Sequence, residues 1–150
     1  MAVRTAVFKS SGFTLIELLL VIALMGVLAG FAVPTSRQLL VRNNLDVADY
    51  TARQTIRRAQ HLAHSGARDS NWGTYIEPGQ VVMYLGNSYA TRDNSFDEVY
   101  AVSDSLIVSG DQDLNFSKIY GLLDADANLQ LTDVLGNSRT IDVTARGVVQ

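Results

Sequence analysis

Residues 12–34, GFTLIELLLVIALMGVLAGFAVP, restrict what this chain can become more than any other stretch. Residues 13–33 are twenty-one in number and carry one charge, Glu17. As a helix rising 1.5 Å per residue, a run of that length crosses a hydrocarbon layer about 30 Å thick. A carboxylate inside such a run costs about 2.5–3.5 kcal/mol on insertion scales, so Glu17 calls for a partner or a task.

Charge is distributed unevenly around this run. Residues 1–12 carry +2 through Arg4 and Lys9, residues 13–33 carry −1, residues 34–66 carry +3, and residues 67–150 carry −7. Positive charge ahead of an apolar run holds that end in the cytoplasm, so everything after Pro34 is expected outside it. An acidic body argues against general nucleic-acid binding, which depends on neutralising phosphates. Cysteine is absent, which excludes disulfides, zinc-thiolate sites and thiol catalysis.

An ordinary secretory signal is one reading of the N-terminus, with Gly30 and Ala32 placed like small residues before a cleavage point. The apolar run is long for such a signal, and Glu17 would weaken it. The residues Gly12-Phe13-Thr14-Leu15-Ile16-Glu17, after a short basic leader and before a membrane-length run, carry a closer likeness. They resemble the signature of type IV pilins and of the pseudopilins of type II secretion. The resemblance implies that prepilin peptidase cuts between Gly12 and Phe13 and that Phe13 becomes an N-methylated N-terminus. It matches Glu17 to the family's glutamate, the residue that acts in assembly. It also implies a chain held in the bacterial cytoplasmic membrane by a single helix, with its body outside, which later enters an extracytoplasmic filament. The implied partners are other pilin subunits, as a homo- or hetero-polymer, the peptidase and an inner-membrane assembly platform.

Elementary electrostatics agrees with that implication. Cleavage creates an amine at Phe13 that is cationic at neutral pH. Where helices pack side by side, the carboxylate of Glu17 can meet the amine of a neighbouring copy. Such a pair adds little net stability, but leaving either member alone in an apolar bundle is costly, so the pair can fix the axial register of subunits. Gly26, Gly30 and Pro34 follow at four-residue spacing. Glycine costs about 1 kcal/mol of helix propensity relative to alanine, and proline removes a backbone hydrogen bond, so this is where the helix is expected to yield. Close helix packing through small residues is the compatible alternative.

Residues 35–62 are expected to continue as an amphipathic helix. Val41, Leu45, Ala48, Ala52, Ile56, Ala59 and Leu62 recur at steps of three and four and form one apolar stripe. Arg42, Asp46, Arg53 and Arg57 are expected opposite, with Arg42–Asp46 and Asp49–Arg53 as i,i+4 pairs, and Gly66 as the stop. Beyond residue 67 short apolar runs alternate with turn residues. Strands are expected at residues 72–77, 81–85, 96–102, 106–108, 116–123, 129–132, 139–144 and 148–149. The expected fold is α+β and pilin-like: a long N-terminal helix, membrane-spanning in its first half and amphipathic in its second, packed on a C-terminal antiparallel sheet. Its parts are a leader (1–12), a transmembrane or filament-core helix (13–33), an amphipathic half-helix (34–66) and a β-rich body (67–150).

Candidate chemistry is sparse. The sequence has no Gly-x-Ser-x-Gly, no phosphate-binding glycine loop and no His-Glu-x-x-His, so no enzyme is expected. Asp124, Ala125, Asp126, Ala127 and Asn128 begin like a calcium loop, but Leu129 replaces the turn glycine and Leu135 the bidentate acid. Solvated turn residues are the preferred reading of Asp124, Asp126 and Asn128, as of Asp111 and Asp113, and no cofactor is expected. Arg53, Arg57, Arg58, His61 and His64 suggest a basic patch, yet no aromatic residue interleaves with them in the sequence, and a solvated or subunit-facing surface is expected instead. The two histidines alone do not make a metal site. The reading is a filament subunit. The β-rich body, the lack of cysteine and the Arg57-Arg58-Ala59 to Ala67-Arg68 helix end loosely resemble the H-type minor pseudopilins, so a secretion pseudopilus is the alternative machine. A signal-anchored extracytoplasmic binding module is the alternative of another class.

Overall fold

A computed structural model describes residues 12–150, and the side chains of these except residues 30–40. Apart from Gly12, the expected leader lies outside the described residues, as do the surroundings of Gly30 and the side chain of Pro34. The elements in order are α1 Leu15–His64, β1 Trp72–Glu77, β2 Gln80–Leu85, β3 Asp93–Ala101, β4 Ile107–Gly110, β5 Asp113–Phe116, β6 Ala127–Thr132 and β7 Ser138–Val143. Short 3-10 turns stand at Ala67–Asp69 and Tyr89–Thr91. The chain divides into two units between Gln38 and Leu39.

In the first unit, α1 is apolar on every side, and all side chains of residues 13–29 are exposed. Among the described residues no helix is long and apolar enough to cross a membrane. The expected span, residues 13–33, runs past residue 29 into side chains outside the described set.

The second unit, Leu39–Gln150, sets the rest of α1 among two antiparallel sheets, where the sequence suggests one. The first sheet has the order β3-β2-β1-β5 and the second β4-β6-β7. One core joins them: Leu45, Ala48, Ala52, Ile56, Ala59 and Ala63 of α1 meet Trp72, Ile76, Met83, Leu114 and Phe116 of the first sheet and Leu129, Leu131, Ile141 and Val143 of the second. Four of the six helix residues are alanine. Small side chains let the helix backbone lie close to strands whose own side chains are large, so interlocking sizes fill the space. The stripe ends on Ala63, which is fully buried, while the expected Leu62 is only half-buried.

Gly66 ends the helix region in the left-handed conformation, at φ 65°. Glycine adopts that conformation without steric cost. Gly73 has a different reason to be glycine: a Cβ there would come within 2.2 Å of the ring of Tyr84, its partner across the β1–β2 ladder. Tyr84 is fully buried and donates its hydroxyl proton to Asp113. Burial first, and the neighbouring carboxylate second, push its pKa well above the ordinary phenol value.

Four expectations fail here. Residues 116–123 are not a strand, because β5 stops at Phe116 and a loop follows, closed by Ser117 N–H to Leu122 O (2.9 Å) and Gly121 N–H to Ser117 O (2.8 Å). Residues 148–149 contribute a single bridge, Val143 to Val149. Arg53 does not face solvent opposite the stripe. It holds Asp49 at 2.9 Å, as expected, and also donates to the carbonyls of Thr140 (2.7 Å) and Gln150, which ties α1 to the end of the second sheet. Asp46 pairs with Arg139 at 2.8 Å rather than with Arg42.

Candidate processing and assembly segment

Gly12, Phe13 and Thr14 precede α1 outside any helix or strand, and Phe13 is 80% exposed. Among the described residues nothing crowds Gly12: a Cβ there would meet no atom within 4 Å. Thr14 is the N-cap. Its carbonyl accepts from Glu17 N–H (3.1 Å) and Leu18 N–H (3.2 Å), which starts the helix.

Glu17 has a local partner that the sequence reading did not assign. Its carboxylate accepts from the backbone N–H of Thr14 at 3.4 Å and from the Thr14 hydroxyl at 3.5 Å, while Glu17 N–H reaches Thr14 Oγ1 at 3.4 Å. This is a loosely closed capping box, in which the N-cap threonine and the glutamate three residues on satisfy each other's otherwise orphaned backbone donors. The spacing Thr14-x-x-Glu17 ahead of an apolar run is the sequence signal for it. A negative charge in the first turn also favours the helix dipole. The bonds are long and exposed, so Glu17 keeps carboxylate lone pairs for a second donor.

Gly26, Gly30 and Pro34 all lie within α1, which is helical throughout. A Cβ at Gly26 would meet nothing within 4 Å, so space does not require glycine there.

The other sequence candidates fall into two groups. Asp124, Asp126 and Asn128 do not converge. Asp126 accepts from Ala145 N–H at 2.5 Å, and Asn128 donates its amide to Asp142 at 2.5 Å. Asp111 accepts from Asn128 N–H (2.9 Å), and Asp113 from Tyr89 N–H (3.1 Å). Among the described residues no three His, Asp or Glu side chains are arranged to hold a metal ion.

The five-residue basic patch is split. Arg53 serves the second sheet, and Arg58 pairs with Glu98 (2.6 Å) and Tyr100 (2.5 Å). Arg57, His61 and His64 stay exposed, and the fold adds Arg146 and Tyr120 to them around one groove. The aromatic neighbour missing from the helix sequence therefore comes from a loop.

Residues 8–33 match the model of the prokaryotic N-terminal methylation motif. The match supports the type IV pilin and pseudopilin type of family, and it marks the N-terminal segment as that of a precursor processed by prepilin peptidase. That family is structural rather than enzymatic. No curated protein and no solved structure matches the chain.

Proposed function

We propose that this chain is a structural subunit of a type IV pilus-like filament, inserted as a precursor in the bacterial cytoplasmic membrane, cut after Gly12, methylated at Phe13 and assembled through the first half of α1. The observation that carries the reading is the juxtaposition of an N-terminal methylation motif with a helix segment whose apolar side chains, from Phe13 to Leu28, are exposed all round. A helix apolar on every face needs a surrounding apolar phase, either lipid or a bundle of like helices. The two phases are taken in turn, lipid before assembly and neighbouring subunits after it. Glu17 then meets the Phe13 amine of a neighbour, and Gly26 to Pro34 is where the helix extends as the subunit enters the polymer.

Mass spectrometry of the mature chain from its native membrane tests the reading. The expected N-terminus is N-methylphenylalanine at Phe13. A chain beginning at Val33 would identify a cleaved secretory signal, and an intact Met1 an unprocessed anchor; either one overturns the proposal.

A further inference from the structure

The turn between β6 and β7 is held as one piece and carries unusual residues at its tip. Asp133 N–H donates to Asn137 O (2.9 Å) and Gly136 N–H to Asp133 O (3.1 Å), while the buried Asp133 carboxylate accepts from the N–H groups of Leu135 (2.8 Å) and Asn137 (2.9 Å). Turn tips favour glycine, asparagine, aspartate and serine, whose backbones or side chains suit a tight bend in water. Here the two residues between Asp133 and Gly136 are Val134 and Leu135, exposed at 63% and 54%. The closed turn keeps both aliphatic side chains together and out of the core.

The place of this tip in the second unit is fixed by contacts. Arg139, two residues after the turn, pairs with Asp46 of α1 at 2.8 Å, and Arg42, Leu45, Asp46, Asn137 and Arg139 line one depression. The turn therefore lies beside the part of α1 by which the chain enters this unit at Leu39. His64, at the other end of α1, is about 33 Å from Arg42 along the helix axis.

Charge is divided along the second sheet in the same sense. Residues 34–45 contain Arg37 and Arg42 and no acid, and Arg139 adds a cation beside the turn. The two acids at this end are engaged, Asp46 by Arg139 and Asp133 by the donors of its own turn. In the β6–β7 ladder Thr132 faces Ser138 at the turn and Ala127 faces Val143 at the opposite end, about 17 Å away along β6. Asp126 and Asp142 belong to that opposite end, and Asp111 joins them by accepting from Asn128 N–H at 2.9 Å. Exposed aliphatics and arginines thus mark one end of the sheet, and carboxylates the other.

We propose that the Val134–Leu135 tip, with Arg42 and Arg139 beside it, rests on the headgroup layer of the membrane that holds the chain and binds anionic phospholipid there. The inference rests on the membrane-anchored reading and goes beyond it by assigning the body a lipid-facing end. Only residues 34–38 separate the membrane-length run from the second unit, so Leu39 stays within about 20 Å of Val33 whatever course they take. On so short a tether, a contact too weak to hold a free protein on a membrane acts as an intramolecular one. Aliphatic side chains enter the boundary of headgroups and acyl chains, and guanidinium groups meet the phosphates. An anionic surface repels the carboxylate end of the sheet, which favours the same orientation. Two side chains fall far short of the roughly 800 Å² per partner of a stable protein contact, whereas a lipid surface accepts a tip of any size.

The test uses the full chain reconstituted at low density in vesicles of mixed neutral and anionic phospholipid, and takes advantage of the absence of cysteine. Ser138→Cys beside the turn and His64→Cys at the far end of α1, both at exposed positions, are each labelled with an environment-sensitive fluorophore. A fraction of the lipid carries a nitroxide on its headgroup. Quenching at position 138 is expected to exceed that at 64 by roughly threefold, and to be weaker in wholly neutral vesicles. Adding Val134→Ser and Leu135→Ser to the Ser138→Cys chain is expected to remove most of this difference while the chain still floats with the vesicles. Equal quenching at the two positions, or quenching at 138 that survives the two serines, overturns the lipid contact and leaves the anchor standing. A blue shift at 138 without quenching assigns the tip to another protein surface and likewise overturns it. A full chain that does not float with the vesicles overturns the anchored reading, and the contact with it.

Discussion

Glutamine at position 17 would close the same box with Thr14 that glutamate closes, because the box needs an acceptor and not a charge. This separates the two roles of Glu17. Glu17→Gln keeps the helix start but removes the ion that would meet a neighbour's amine. We expect it, like Glu17→Ala, to mature at Phe13 and yet fail to enter filaments; normal filament yield from the glutamine variant would leave Glu17 with capping alone. Asp133 supplies a second case at this scale. It is buried in the turn between β6 and β7, where the Asn137 amide (2.8 Å) and the N–H groups of Asn137 (2.9 Å) and Leu135 (2.8 Å) all donate to its carboxylate. These bonds, the Asn137 side chain first, hold its pKa below the ordinary carboxylate value. A lowered folded pKa gives stability that is fully present above the unfolded value of about 3.9 and is lost as pH falls through the folded one. Urea unfolding of the soluble body should therefore show a gap between Asp133 and Asp133→Ala at neutral pH that narrows on acidification; a gap independent of pH would contradict this. The turn residues 133–138 were legible from Gly136-Asn137, but that Asp133 organises the turn was not, since only the closed loop brings its three donors together.

At the scale of the element, the amphipathic half of α1 was legible almost residue by residue, because a 3.6-residue period is a local property. What escaped was the last turn, where the contacts of the two sheets select Ala63 over Leu62. Ile56 sits fully buried in the middle of the stripe, within the core that α1 shares with both sheets. Ile56→Ala should cost about 2–5 kcal/mol in equilibrium unfolding, the transfer cost of the lost methyl groups together with the cavity left behind. A cost under about 1 kcal/mol would mean that this face of α1 is not a core element. Residues 116–123 show the opposite case. Their apolar content reads as a strand, yet Ile119, Tyr120 and Leu122 face solvent and the ladder ends at Phe116. A sequence records that a residue is apolar, but not whether its apolar surface is meant for its own core or for another chain.

For the whole molecule, the division between Gln38 and Leu39 separates a segment that needs an apolar phase from a unit with its own core. A chain consisting of residues 34–150 should accordingly be soluble, folded and monomeric at micromolar concentration, since it keeps the core and lacks the apolar segment. Light scattering and heteronuclear NMR check this; obligate aggregation would show that the boundary is misplaced. By itself the sequence determined the α+β class, the N-terminal processing signal and the membrane-length apolar run, all of which depend on residues adjacent in the chain. Only the tertiary structure decided that the body has two sheets, that Glu17 caps its own helix start, and that Arg57 and His61 share a groove with Tyr120 and Arg146. The physical reason is distance along the chain: cleavage signals and helical periods are written in neighbouring residues, whereas the pairing of strands and the meeting of loops depend on contacts that local propensity does not encode.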